Sequence, residues 1–169
     1  MPLELYRIDD RLIHGQVVVG WGRPLDIGFI VLVDDEVAAS EWEQELYRMG
    51  VPPEMDVFFH GVDDAVSAHA GYASDRRHGI LLTGDIDTMR RLVDGVKRAD
   101  GAHRITAVNL GGLHHRVGRV QRMRYVFLAD TEERELRDLA ASGVAVSAQD
   151  VPAARAVPLD ELLSGRVGV

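Results

Sequence analysis

The segment Arg7-Ile8-Asp9-Asp10-Arg11-Leu12-Ile13-His14-Gly15-Gln16 concentrates the residue types that could do chemistry. His14 stands three residues after Arg11, where a first strand gives way to a helix. An imidazole is nucleophilic near neutral pH, with an unperturbed pKa of about 6.5. It can act as a general base, a metal ligand or a covalent acceptor. A metal site needs three or four converging ligands. The other histidines (His60, His69, His78, His103, His114, His115) lack chelating spacing, and the adjacent pair His114-His115 points in different directions. A hydrolase would need a nucleophile beside its base, and no G-x-S-x-G is present. The chain has no cysteine, which removes thiolate chemistry and disulfides. Covalent phosphorylation of His14 fits better. Arginine makes bidentate bonds to phosphoryl oxygens, and the start of a helix offers backbone N–H groups to an anion. Arg11 and a helix beginning near Gly15 could supply both, although a histidine beside an arginine can equally be structural.

The elements that must position this loop follow from the hydrophobic pattern. Short, mostly apolar, β-branched runs at 3–8, 27–33, 55–60, 79–83, 104–109, 125–128 and 144–148 read as strands, largely of the parallel kind buried on both faces. Helical patterns lie between them. Residues 40–49 open on Ser40 as an N-cap and stop at Gly50, and 85–98 align Ile86, Met89, Leu92, Val93 and Val96 on one face. Residues 131–142 carry acidic groups in the first turn with Gly143 just beyond, and a weaker helix runs from His60-Gly61 to about Ala73. Gly20 and Gly22 predict that the helix after His14 is short, since each costs about 1 kcal/mol relative to alanine. This alternation predicts an α/β fold: a single three-layer α/β/α domain over 1–169 with an open, mainly parallel sheet of 6–7 strands.

Ligands of such sheets gather at the carboxyl ends of the strands. Polar residues cluster at those ends: Asp9, Asp10 and Arg11 after the first, Asp34-Asp35-Glu36 after the second, Thr83-Gly84-Asp85 after the fourth. After the fifth comes Asn109-Leu110-Gly111-Gly112, where glycines would either admit an anion to the backbone or simply make a turn. Neither a Walker-type loop nor G-x-G-x-x-G appears, so no nucleotide cofactor is expected. The net charge of −8 speaks against nucleic-acid binding. One segment departs from it: no acidic residue occurs from Gly101 to Ala129, where Arg104, Arg116, Arg119, Arg122 and Arg124 fall. That segment could be an anion site, a docking face for an acidic partner, or a solvated surface. No apolar run approaches the roughly 20 residues of a membrane span and no signal pattern follows Met1, so a cytoplasmic location is expected.

The ordered core D-D-R-L-I-H-G-Q over residues 9–16 resembles the signature of the IIB subunit of the mannose/fructose/sorbose family of the bacterial phosphoenolpyruvate-dependent sugar phosphotransferase system. Val31-Leu32-Val33-Asp34-Asp35-Glu36-Val37-Ala38 is similar to that family's second strand and turn, and Ile105 to Leu113 to its N-x-G-G segment. The resemblance covers essentially the whole chain. It implies a phosphotransferase that takes a phosphoryl group from phospho-IIA onto His14, at Nδ1, and passes it to a sugar held by the membrane subunits IIC and IID. It further implies Arg11 as the phosphate clamp and Asp10 as a residue orienting the loop, the imidazole or Arg11, with Asp9 a strand-end cap. Gly15 and Gln16 would offer backbone contacts, and Thr83 either a hydroxyl for the phosphate pocket or a buried strand-end threonine.

Such transfers ask for positioning and charge stabilisation, and no metal or other cofactor is expected. Membrane association would then run through partners only, and the chain, starting at the motif strand, is expected to be a subunit separate from IIA. A regulatory phosphocarrier without sugar transport would need the same loop, and a module binding a free anion is a third possibility. Two departures from the usual family pattern, the glycines after Gln16 and the basic stretch from Leu113 to Arg119, bear on partner choice and not on His14 or Arg11.

Overall fold

The structure, a computed structural model, describes residues 3–165. In chain order the elements are β1 (Leu3–Ile8), a wide π-type turn of helix (Gln16–Trp21), β2 (Ile27–Val33), α1 (Asp35–Ala38), α2 (Glu41–Met49), β3 (Asp56–His60) and α3 (Val62–Ala73). They continue with β4 (His78–Thr83), α4 (Ile86–Ala99), β5 (Ala107–Leu110), β6 (Val120–Met123), β7 (Val126–Leu128), α5 (Asp130–Ala141), β8 (Ala145–Ala148), β9 (Val157–Pro158) and α6 (Leu159–Leu163). Seven strands form one sheet in the order β3-β2-β4-β1-β5-β8-β9. All pairings are parallel except β8 with β9. This is the expected α/β sheet.

Side-chain alternation splits the core in two. Phe29, Val31 and Val33 face a cluster built with α3, α4, α5 and α6, through residues such as Met89, Leu92, Leu136 and Leu162. Ile30 and Leu32 face the opposite cluster, made by Leu12, Ile13, Val17, Val18 and Trp21 of the His14 segment with Val37, while Tyr47 of α2 packs against it. Helices therefore cover both sheet faces. Their starts are capped as the residue types suggest: Ser40 Oγ accepts from Glu43 N–H at 3.3 Å, Asp85 Oδ1 from Thr88 N–H at 2.7 Å, and Glu132 reaches back to Ala129 N–H at 2.9 Å.

Three differences from expectation have local causes. The run 125–128 does not enter the main sheet; β7 pairs antiparallel with β6 in a separate hairpin, because β8 already occupies the free edge of β5. The strand expected from Arg104 begins only at Ala107, after a 3₁₀ turn at Gly101–His103. The segment after His14 is short, as its glycines suggest, and it is also widened: Gly22 N–H bonds Val17 O, an i to i+5 closure at 2.9 Å. A Cβ on Gly22 would collide with the Val18 carbonyl oxygen. Among the described residues no helix is long and apolar enough to cross a membrane.

One buried pair links the core to pH. His69, 1% exposed, meets Tyr6 Oη through Nε2 at 2.7 Å, and its Nδ1 has no hydrogen-bond partner. Burial, with the charge of His103 beside it, holds the His69 pKa below its ordinary value. A histidine that resists protonation when folded takes up its proton on unfolding. Its stabilising contribution is therefore complete above its unfolded pKa of about 6.5 and falls as the pH drops below that value, by up to about 1.4 kcal/mol per pH unit. Urea unfolding at matched pH values should show this slope in the parent and a shallower one in His69→Gln.

Candidate functional site

The His14 loop leaves the sheet from its centre. β1 lies between β4 and β5, and the connections from β1 and β5 run to opposite sides, the switch point at which open α/β sheets bind ligands. The loop is clamped from both neighbours. Asp9 N–H bonds the Thr83 carbonyl at 2.9 Å, Asp10 N–H the Gly112 carbonyl at 2.9 Å, and Gly111 N–H the Ile8 carbonyl at 2.7 Å. Leu12 then takes φ of +57°, left-handed backbone that a leucine adopts at a cost of about 1 kcal/mol. Burial of its side chain in the core beneath holds it there.

Asp9 is the electrostatic centre of the loop. Its carboxylate is fully buried and accepts from Arg11 through the backbone N–H (3.1 Å), Nε (3.0 Å) and Nη2 (2.9 Å). Arg7 Nη2 adds a fourth bond at 3.2 Å. Burial works to raise the Asp9 pKa, but the Arg11 hydrogen bond and the charges of Arg7, His14 and Arg11 outweigh it and hold the carboxyl below its ordinary value. Arg11 is thus fixed by one edge, with Nη2 also donating to Gln16 Oε1 at 2.7 Å. Its Nη1 takes no part in these bonds.

His14 completes the group. Its side chain is 18% exposed, and Nε2 lies 3.8 Å from Asp9 Oδ2. Nδ1 sits 2.7 Å from the Leu12 carbonyl, so in this arrangement Nδ1 carries the proton and donates it. The strained Leu12 therefore points its carbonyl at the ring and sets the tautomer. Val17 and Val18 N–H both bond the His14 carbonyl, which leaves the N–H groups of Gly15 and Gln16 ahead of the first intrahelical donors.

Beneath the loop lies a charge network that the sequence reading did not single out. Arg7 is completely buried. Nη1 donates to Asn109 Oδ1 and to the Gln149 carbonyl (2.8 Å), Nη2 to the Asp150 carbonyl (3.2 Å) as well as to Asp9, and the guanidinium lies 5.1 Å from the centre of the Trp21 ring. Trp21 Nε1 donates to the same Asp150 carbonyl at 3.0 Å. This explains the Asn109-x-Gly-Gly order. Asn109 holds Arg7, and the glycines make room for the network: a Cβ on Gly111 would lie 2.6 Å from Asp9 Oδ2 and closer still to the Arg7 guanidinium, and one on Gly112 3.3 Å from Arg11 Nε. Gly111→Ala should therefore cost about 1–3 kcal/mol by overpacking, read by denaturant unfolding, and lower the transfer activity proposed below by displacing Asp9.

The expected site residues are distributed as follows. Asp9 is more than a strand-end cap, since it holds both arginines. Of the roles expected for Asp10, its contacts fit orienting the loop: it accepts from His114 N–H at 2.8 Å with His114 Nδ1 2.6 Å away, which fastens this loop to the neighbouring one. Gln16 engages Arg11 through its side chain rather than only its backbone. The Thr83 hydroxyl is buried and bonds the Asp85 carbonyl at 3.3 Å, the strand-end alternative. The basic segment is partly neutralised. Arg119 pairs with Glu132 by two bonds of 2.8 Å and Arg122 with Glu133, whereas Arg116 projects into a cleft of about 500 Å³ shared with Asp10 and Leu12. Among the described residues no group of histidine and carboxylate side chains could hold a metal ion.

Comparison with known proteins places this geometry in context. A family model described as the sorbose-subfamily IIB component of the phosphotransferase system matches residues 3–167. The N-acetylgalactosamine-specific phosphotransferase enzyme IIB component 1 of Escherichia coli (strain K12) is 33% identical over 151 residues, covering 88% of this chain and 90% of that protein. The mannose-specific EIIAB component of the same organism is 33% identical over 97% of this chain, which spans only 49% of that longer protein. The crystal structure of manxB from Thermoanaerobacter tengcongensis superposes with a TM-score of 0.84 at 32% identity, covering 98% of this chain and 97% of that one.

Proposed function

The chain belongs to the sorbose-subfamily IIB components of the phosphotransferase system, and from that premise we propose that His14 is its phosphoryl carrier, loaded by phospho-IIA and discharged to a sugar held by IIC and IID at the cytoplasmic face of the membrane. The observation that carries the reading is the buried Asp9 carboxylate, which fixes Arg11 by one edge and lies 3.8 Å from the His14 ring. A guanidinium so held meets phosphoryl oxygens without paying again for its own ordering.

The nitrogen we assign is Nδ1. Its proton bonds the Leu12 carbonyl in the resting arrangement, so the reactive form carries the proton on Nε2, where Asp9 Oδ2 faces it, and turns Nδ1 away from Leu12. The Nδ1 lone pair then attacks the phosphorus of the donor's phosphohistidine. An N–P bond forms on His14 as the donor's N–P bond breaks, and the electron pair of the broken bond leaves with the donor imidazole. The phosphorylated ring keeps its Nε2 proton and a positive charge that Asp9 stabilises, as a carboxylate does for an imidazolium. Arg11 Nη1, with the N–H groups of Gly15 and Gln16, takes the phosphoryl oxygens. On discharge a sugar hydroxyl oxygen attacks the phosphorus, the Nδ1–P bond breaks with its electron pair returning to the His14 ring, and the hydroxyl proton is released to water.

Incubation with labelled phosphoenolpyruvate, the general phosphotransferase proteins and a cognate IIA tests this. The parent should acquire acid-labile label and His14→Ala none, with a stability loss of about 1 kcal/mol for the missing hydrogen bond to the Leu12 carbonyl. Equal labelling of the two proteins would sink the assignment.

A further inference from the structure

The helix α2 turns an apolar stripe to solvent. Trp42, Leu46 and Met49 recur at helical spacing and are 71%, 50% and 81% exposed, and none of the nine residues of α2 is fully buried. The inward face is instead Tyr47, which packs on the core, and Gln44, which donates to the Val37 and Ala38 carbonyls at 3.1 and 3.2 Å. Three large side chains aligned on an outer face are the mark of an interaction surface rather than scattered exposure. The stripe is flanked by Glu41 and Glu45 on one side and Glu43 on the other, with Arg48, paired to Glu45, the one basic residue of the helix.

Its position bears on the site. α2 covers the same sheet face as the His14 segment, because Tyr47 and the residues Leu12, Ile13, Val17 and Val18 pack on one cluster. It starts just beyond the carboxyl end of β2, so Trp42 lies toward the edge of the sheet from which His14 projects. Val19, in the turn after His14, is itself 47% exposed.

We propose that this face of α2 docks a basic, apolar cytoplasmic loop of the membrane subunits that receive the phosphoryl group. The inference rests on the phosphocarrier reading above. Charge complementarity selects the occupant: the stripe is apolar within an acidic frame, and cytoplasmic loops of membrane proteins carry an excess of lysine and arginine. A second copy of this chain fits less well, since two such helices would each bring three glutamates against one arginine.

The test uses the full chain and vesicles containing the cognate IIC and IID subunits, with vesicles of the same lipid lacking them as reference. The double variant Trp42→Ser with Leu46→Ser should bind the subunit-bearing vesicles at least about tenfold more weakly, while accepting phosphoryl groups from IIA at the parental rate. Charge reversal by Glu41→Lys with Glu45→Lys should weaken the same binding and leave the apolar residues in place. Unchanged binding in the double variant overturns the proposal. So does an equal loss on subunit-free vesicles, which assigns the stripe to lipid, or a parental dimer that the double variant dissociates, which assigns it to a second copy. Failure of the phosphocarrier reading shows separately, as a parent that takes no label.

Discussion

Arg7→Met is expected to destabilise the protein by about 3–5 kcal/mol, the cost of removing one member of a buried charge pair and stranding the other. Methionine fills most of the volume, so the loss is electrostatic rather than a cavity. It leaves Asp9 buried with Arg11 as its remaining cationic hydrogen-bond donor, strips the Arg7 donor from Asn109 Oδ1 and from the Gln149 carbonyl, and leaves the Asp150 carbonyl with Trp21 Nε1. Denaturant unfolding should show a lower midpoint with an unchanged m-value. Because both charges belong to one network, Arg7→Met combined with Asp9→Asn should cost less than the sum of the single changes, and a double-mutant cycle measures the difference. The combined variant should still transfer phosphoryl groups poorly, since Arg11 loses its anchor.

The second large effect separates stability from chemistry. Arg11→Gln should lower phosphoryl acceptance by about 10²–10³, the usual cost of deleting one preorganised donor to a developing anion, while unfolding changes by only about 1–2 kcal/mol. Arg11→Lys should restore little of the activity. The guanidinium spans Asp9 Oδ1 and Oδ2 through Nε and Nη2, reaches Gln16 through Nη2, and keeps Nη1 for the phosphoryl group. A single ammonium cannot reproduce that fork. Single-turnover acceptance from phospho-IIA, measured beside unfolding, distinguishes the two effects.

Much of this arrangement was legible from residue types. The apolar runs located the strands because parallel strands buried on both faces tolerate little else, and Ser40 and Gly50 marked helix ends by their capping chemistry. The buried network was not legible, because Arg7 in an alternating strand looks like an outward-facing charge. Its signal is distributed: an arginine and an aspartate two residues apart at the end of a strand, with Asn109-x-Gly-Gly at the end of another, become one object only when β1 and β5 are neighbours. The two glycines admit a turn or an anion when read alone, whereas the structure shows them yielding space to Arg7, Asp9 and Arg11. The roles of Asp9 and Asp10 could not be told apart from sequence, since adjacent residues differ only in which way the loop turns them. The separate pairing of β6 with β7 escaped for a similar reason: a short apolar run at 125–128 has no local feature that says which strand it will join.

Phosphorylation of His14 at Nδ1, with Asp9 facing the other nitrogen, is open to direct measurement by nitrogen–phosphorus scalar coupling. The measurement uses chain containing isotope-labelled histidine, phosphorylated through IIA and kept at alkaline pH. A single phosphoryl group is expected, coupled to Nδ1 of His14, with Nε2 protonated. A phosphoryl group on any other histidine, such as His114 beside Asp10, or on the Nε2 side that packs against Asp9, would contradict it.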